Sequence, residues 1–178
     1  MTETISSKKP DWSREEIING EWVPSRKLIS SIRTYQYHKS RLTGIWFFYH
    51  KLKIWHSVLA HRFWSVVTAA DIPLNCSIGG GLLLPHSNGV VINPKAVIGP
   101  NCLLMSQVVI GTRGGKGSPV IGGHVDIGTG AKVLGDITIG DHVQIGANAV
   151  VTSDIPSYSV VVGIPGRVIK TIEKEKVD

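Results

Sequence analysis

The chain has 178 residues, of which 20 are glycine, 12 aromatic and two cysteine, with a formal net charge of +6. Its size suits one main domain with a core of its own, and 42% hydrophobic residues exclude a chain disordered by composition. Two cysteines are too few for a disulfide scaffold, the glycines follow no collagen triplet, and no apolar run approaches the ~18 residues of a spanning helix.

Residues 1–23 read as an arm. Lys8 and Lys9 are followed by no apolar core, so a secretory signal is not expected and the predicted setting is the cytoplasm. Pro10, Asp11 and Ser13 suggest a short helix from Ser13, with Trp12 and Trp22 as anchors. A helix is predicted over about Arg26 to Arg41, broken at Thr43-Gly44. From Ile45 to Val66 the residues Ile45, Phe48, Leu52, Trp55, Leu59, Phe63 and Val66 recur every three or four positions, which places them on one side of a second helix. The expectation is that this aromatic side packs against the rest of the chain or another subunit. Lys51, Lys53 and Arg62 beside it also suit a peripheral membrane surface. No nucleic-acid reader motif accompanies the basic charge, and no nucleic-acid partner is expected.

Composition changes near residue 70. Residues 1–70 hold 11 Lys+Arg against 5 Asp+Glu and 11 of the 12 aromatics; residues 71–178 hold 8 of each charge and 18 of the 20 glycines. The predicted division is a helical segment 1–70, a repeat domain 71–170 and a charged tail 171–178.

The repeat has a period of six. Ile121, Ile127, Val133, Ile139, Ile145 and Val151 are all β-branched, and glycine follows four of them. Ile92, Ile98, Leu104 and Ile110 form an earlier run, and Ile72, Ile78 and Leu84 an earlier one still. Six residues cannot hold one face of a 3.6-residue helix but do suit short strands around a prism, with glycine at turns that need positive φ. The predicted architecture is a parallel β-helix. Leu84 to Ile92 is two residues too long and Ile110 to Ile121 five too long, so 85–89 and 112–118 are predicted to leave the wall as loops. Loops on a rigid scaffold are where function concentrates.

Asp71-Ile72, Ile78-Gly79-Gly80-Gly81-Leu82-Leu83-Leu84-Pro85-His86, Gly130-Ala131-Lys132-Val133-Leu134-Gly135 and Val162-Gly163-Ile164-Pro165-Gly166-Arg167-Val168-Ile169 together resemble the hexapeptide-repeat acyltransferases. The resemblance is to serine acetyltransferases and to acetyltransferases of capsule and exopolysaccharide biosynthesis. It implies a left-handed β-helix, homotrimers with active sites between subunits, and acetyl transfer from acetyl-CoA to an acceptor hydroxyl. His86 matches the family's general base and Asp71 the aspartate paired with it. The resemblance places Thr112, Arg113, Thr129, Ala147, Arg167 and Lys170 along the CoA arm, and it requires no metal.

Two departures bear on the acceptor. Pro85 stands where serine acetyltransferases carry an acidic residue before the histidine, and Gly117-Ser118 stands where they carry Arg-His. Both lost groups would meet an amino-acid acceptor, so a saccharide or its lipid-linked precursor is the expected acceptor and L-serine the alternative. The same β-helix also hosts metal-dependent lyases, for which His124 and His142, one coil apart, are the only apparent pair, and non-catalytic scaffold proteins. Cys76 and Cys102 read as small wall residues rather than nucleophiles.

Overall fold

An aliphatic side chain every sixth residue stays inward only if the chain turns a corner after each short strand. Residues 5–17 and 20–172 are described in this structure, a computed structural model. The first coil contains β1 (Ser77–Ile78) and the second β2 (Val91–Ile92), β3 (Val97–Ile98) and β4 (Leu103–Leu104). The third has β5 (Val109–Gly111), β6 (Val120–Ile121) and β7 (Asp126–Ile127), and the fourth β8 (Lys132–Leu134), β9 (Thr138–Ile139) and β10 (Gln144–Ile145). β11 (Val150–Val151) and β12 (Ser159–Val162) belong to the last. Parallel pairing stacks them into three faces: β2-β5-β8-β11, β1-β3-β6-β9 and β4-β7-β10-β12. These are called faces one, two and three. The architecture is the expected parallel β-helix.

The inward residues are the ones the period selects. Ile92, Ile98, Leu104, Ile110, Ile121, Ile127, Val133, Ile139, Ile145 and Val151 are all buried. Each such side chain is worth about 1.5–3 kcal/mol relative to exposure, so a slip of register would be costly. A second buried position lies two residues before each: Ala96, Val108, Val125, Ala131, Val143 and Ala149 fill the corners. Cys76 and Cys102 occupy this corner position and are buried free thiols. Both register slips are loops at corners, since Val97 pairs with Val120 and Ser77 with Val97 without disturbing the ladders on either side.

The glycines after the strands require a different explanation from the expected one. Gly99, Gly122, Gly128, Gly140 and Gly146 do not have positive φ; the left-handed corners are taken instead by Asn101, Gln107, His124, His142, Asn148 and Tyr158, as well as other glycines. At Gly99 the constraint is proximity: a Cβ there would lie 2.5 Å from the Gly122 carbonyl of the next coil.

The helical part caps the open end of the prism. α1 (Pro24–Lys39) and α2 (Phe47–Thr68) pack on each other, joined through a 3-10 turn at Gly44–Trp46. Donors from these helices reach first-coil carbonyls that have no coil below them. Arg33 donates to the carbonyls of Ile78 and Gly79, each at 2.6 Å, Gln36 to Leu74 and Cys76, and His61 Nε2 to Ile72 at 2.8 Å. Arg33 also holds the Glu15 carboxylate at 2.8 and 3.1 Å, and Glu15 accepts from the Leu82 N–H. The arm thereby lies along the wall, where its 3-10 turn (Trp12–Glu15) is capped by Asp11 and Trp12 packs over Gly80. Trp22 meets Trp64 edge-on at 5.8 Å but remains largely exposed. At the other end, β13 (Arg167–Thr171) pairs antiparallel with β12 and closes face three. Most of the predicted charged tail, residues 173–178, lies outside the described residues.

Of the two partners expected for the aromatic stripe of α2, the rest of the chain is overturned. The aromatic stripe of α2 does not pack against the rest of the chain: Phe48, Leu52, Trp55, Leu59, Phe63 and Val66 are all exposed. The seated face is the opposite one, where Ser57 and Thr68 are buried and Trp64 packs on the core. Small side chains there let α1 approach closely, while the bulky stripe stays outside.

Gly99→Ala is expected to lower stability by about 1–3 kcal/mol through backbone overlap between coils. Thermal unfolding measures it, and an unchanged melting temperature would refute the close-approach explanation.

Candidate functional site

Asp71 opens face one. It bridges Val91 of the next coil, with its N–H donating to Val90 at 2.8 Å and its carbonyl accepting from Ile92 at 2.9 Å. His86 lies in the turn of the first inserted loop, which runs from face three back to face one and ends at Val91. The Gly89 N–H donates to the Ala69 carbonyl at 2.8 Å, so the loop is stitched to the chain just before Asp71. The two residues therefore share one edge of the prism on adjacent layers, and both side chains are exposed. Among the described residues no hydrogen bond or ion pair joins them directly.

The same edge continues up the prism as a backbone ladder. Gln107 donates to Asn88 at 2.8 Å, Gly130 to Ser106 at 2.9 Å, and Asn148 to Thr129 at 2.8 Å. Thr129 and Ala147 are exposed on this ladder, above His86. Its top is the turn 163–166, where Val150 donates to Gly163 and Gly166 to Val150. Arg167 follows that turn, exposed, opposite Val162; Lys170 lies further along β13, opposite Val160. Thr129, Ala147 and Arg167 thus fall on or near one line with His86, while Lys170 lies across face three toward the Tyr158 corner.

Thr112 and Arg113 do not. They lie in the second inserted loop, which leaves face one toward face two, on the far side of face one from His86. That loop is pinned by pairing of Arg113 with Lys116, and it overhangs the corner of the coil below. Between them is a cleft of 340 Å³ lined by Asn93, Pro94, Lys95, Thr112, Gly115, Gly117 and Ser118. Ser118 Oγ donates to Asn93 Oδ1 at 3.0 Å, which ties the loop to its floor. Asn93 and Lys95 were not singled out from the sequence; the signal was the five-residue insertion, which must lie over the corner one coil earlier.

The remaining titratable groups are structural. Burial pushes the Cys76 thiol up to about 11, with the nearby Asp71 charge adding to it, and burial pushes Cys102 to about 12. Neither is a ready nucleophile. His124 and His142 meet edge to face at the edge between faces two and three, Nδ1 to Nδ1 at 2.9 Å, so one ring donates and the other accepts. His142 also stacks on Tyr158 at 4.8 Å. Among the described residues no group of three or more His, Cys, Asp or Glu is assembled to hold a metal.

Residues 118–153 match the bacterial transferase hexapeptide family (six repeats). The chain is 41% identical over 127 residues to a serine acetyltransferase of Synechococcus elongatus, covering 70% of this chain and 52% of that protein. It is 39% identical over 135 residues to one from Staphylococcus aureus, covering 66% of this chain and 63% of that protein. The chain therefore spans between about half and under two thirds of the length of these relatives. Two solved structures are similar. Serine acetyltransferase from Brucella abortus has a TM-score of 0.70 at 28% identity, covering 85% of this chain and 58% of that one. Soybean serine acetyltransferase complexed with serine has a TM-score of 0.67 at 32% identity, covering 82% and 57%. The resemblance to hexapeptide-repeat acyltransferases of the serine acetyltransferase kind holds in both sequence and fold.

Burial lowers the His124 pKa below 6.5, with His142 and Arg14 adding to it against the opposing charge of Asp126. The unfolded chain then binds more protons just below pH 6.5, so stability is expected to fall as pH drops from about 7 toward 5. Asp126 is raised by burial and acts oppositely, losing its contribution as pH rises from 3.8 through its folded value. Replacing both histidines with asparagine, which tolerates the left-handed backbone, should flatten the loss between about pH 7 and 5. Urea unfolding across pH measures it; an equally steep loss in the variant would reject the assignment.

Proposed function

We propose that this chain is an acetyl-CoA-dependent O-acetyltransferase with His86 as general base, and that its acceptor is L-serine. The observation that carries the reading is the edge that joins Asp71, His86, Thr129 and Ala147, on a chain whose relatives are serine acetyltransferases. Those relatives favour the serine alternative over the saccharide acceptor expected from residues 85 and 117–118.

A hydroxyl is a weak nucleophile near neutral pH. His86 takes its proton as the oxygen attacks the thioester carbonyl, and the resulting imidazolium is stabilised by the Asp71 carboxylate. Collapse of the tetrahedral intermediate expels the CoA thiolate, which recovers the proton from His86. Both residues are exposed on one edge of the prism, and the mechanism calls for a side-chain rotation that brings carboxylate to imidazole when substrates bind. CoA has a thiol arm and a phosphate end. The small exposed residues Thr129 and Ala147 suit the arm, and Arg167 and Lys170 suit the phosphates.

Thr112 and Arg113 belong to this site only if a second copy supplies them. A homotrimer that set the His86 edge of one copy against the 112–118 loop of its neighbour would join the expected CoA contacts into one groove. The reaction is placed in the cytoplasm, where acetyl-CoA is available.

A second reading keeps a saccharide acceptor. Pro85 and Gly117-Ser118 carry no charge to clamp an amino acid, while the 340 Å³ cleft offers Asn93, Lys95 and Ser118 as hydroxyl- or phosphate-binding groups. Labelled acetyl-CoA offered with L-serine and with nucleotide- or lipid-linked sugars separates the two. Serine turnover supports the first reading, and transfer to sugar alone supports the second. His86→Ala should lose about 10²–10⁴-fold in rate with folding intact; full activity would reject the base assignment.

A further inference from the structure

We propose that the outer face of α2 is a docking surface for an anionic lipid membrane, on which the protein lies peripherally. The face is built from Phe48, Leu52, Trp55, Leu59, Phe63 and Val66, which are 81, 63, 62, 44, 57 and 81% exposed. At 100° per residue they occupy an arc of about 80°, a narrow stripe along a helix about 33 Å long. Together they expose on the order of 700 Å² of apolar surface, more than the ~300–600 Å² of the largest patch on a typical monomer. Ile45 extends the stripe into the preceding 3-10 turn and is 91% exposed.

The fold has no use for this face. α2 is already seated by its opposite side, and the open end of the β-helix is already capped by Arg33, Gln36 and His61. Among the described residues no other part of the chain covers it.

Charge decides which occupant. From Trp22 to Ala70 the sequence holds eight Lys+Arg and no Asp or Glu. Lys51 and Arg62 border the stripe on one side and Lys53 lies beyond the other. Lys51 and Lys53 extend over the Phe47 and Tyr49 rings at 5.8 Å, so their stems run along aromatic surface while their ammonium groups reach outward. A second copy laid face to face on this surface about a two-fold axis would bring these cations onto their equivalents, with no carboxylate on either α1 or α2 to compensate. Anionic headgroups provide that missing charge, and the acyl boundary takes the aromatic and aliphatic stripe. Among the described residues no helix is long and apolar enough to cross a membrane, so α2 lies in the interface rather than through it. α2 ends at Thr68, three residues before Asp71, so docking brings the His86 end of the β-helix to the lipid side. The surface stands apart from the acetyl-transfer reading, since nothing in it depends on which hydroxyl is acetylated.

The test is co-sedimentation of the full chain with phosphatidylcholine vesicles, with and without phosphatidylglycerol, across ionic strength. Binding that needs phosphatidylglycerol and weakens with salt is expected. The combined Phe48→Ser, Leu52→Ser and Phe63→Ser variant should lose it at least 100-fold, and Lys51→Glu with Arg62→Glu at least 10-fold, with circular dichroism unchanged. All five side chains point to solvent or border it, so the variants test the surface rather than the core. No binding to anionic vesicles by the parent chain, or equal binding by the serine variant, would overturn the proposal. Light scattering supplies the remaining outcome: if the serine variant also drops to a smaller oligomer, the face is a contact between copies and the proposal fails.

Discussion

Everything in this molecule is subordinate to one requirement: every corner of every coil must turn without leaving a backbone polar group unpaired. The strands are only two or three residues long in most coils, so corners make up much of the wall. Each corner donates to the coil before it, as Gln107 does to Asn88 and Asn148 to Thr129, or receives from the coil after it. That demand fixes a left-handed residue at defined corners, a small buried residue two positions before each inward side chain, and no Cβ where coils touch most closely. Extra residues fit only where a corner can open outward. The two loops are therefore at corners, and so are the candidate catalytic residues.

A prism concentrates function on its edges because an edge repeats. Successive coils present equivalent corners about 4.8 Å apart, so the corners bearing Thr129 and Ala147 continue the line begun by the His86 loop. An extended ligand can follow such a line through exposed backbone and small side chains with little adjustment. Thr112 and Arg113 lie across face one, and this separation within one chain is the geometric reason to expect a site shared between copies. The resemblance predicted both groups of residues; the topology puts them on opposite sides of face one within a single subunit.

The sequence disclosed those features that are enforced at every repeat. The inward positions, the β-helix and the two loops were legible because a missing aliphatic or a slipped register breaks a period of six. Corner chemistry was less legible, since Asn101, Gln107, His124 and Tyr158 share a backbone conformation but no side-chain type. The glycines after the strands were visible, but their cause was not, because a close approach between coils leaves no mark within a single coil. For α2 the period identified a stripe without identifying its side. Trp64, Ser57 and Thr68 form a second, less conspicuous face, and the choice depended on α1 needing small neighbours. The placement of Asp71 and His86 on one edge was legible as spacing, whereas the acceptor was not. Pro85, Gly117 and Ser118 say which charges are missing, not which hydroxyl arrives.

The caps explain why the two halves differ so much in composition. A β-helix ends in a row of unpaired carbonyls at one end and N–H groups at the other, and an uncovered end invites another chain to add to it. β13 covers the last coil from within the repeat part. The first coil presents acceptors at Ile72, Leu74, Cys76, Ile78 and Gly79, and acceptors call for donors: a guanidinium, an amide and an imidazole. Part of the basic character of residues 22–70 is thus committed to the β-helix, through Arg33 on the carbonyls and Lys39 on the Asn75 side chain at 2.9 Å. The absence of any acid across the same stretch is not needed for capping, since one carboxylate, Glu15, already fits among the capping groups. Lys51, Lys53 and Arg62 take no part in capping, and they sit on the same helix that leaves its largest apolar side chains in water.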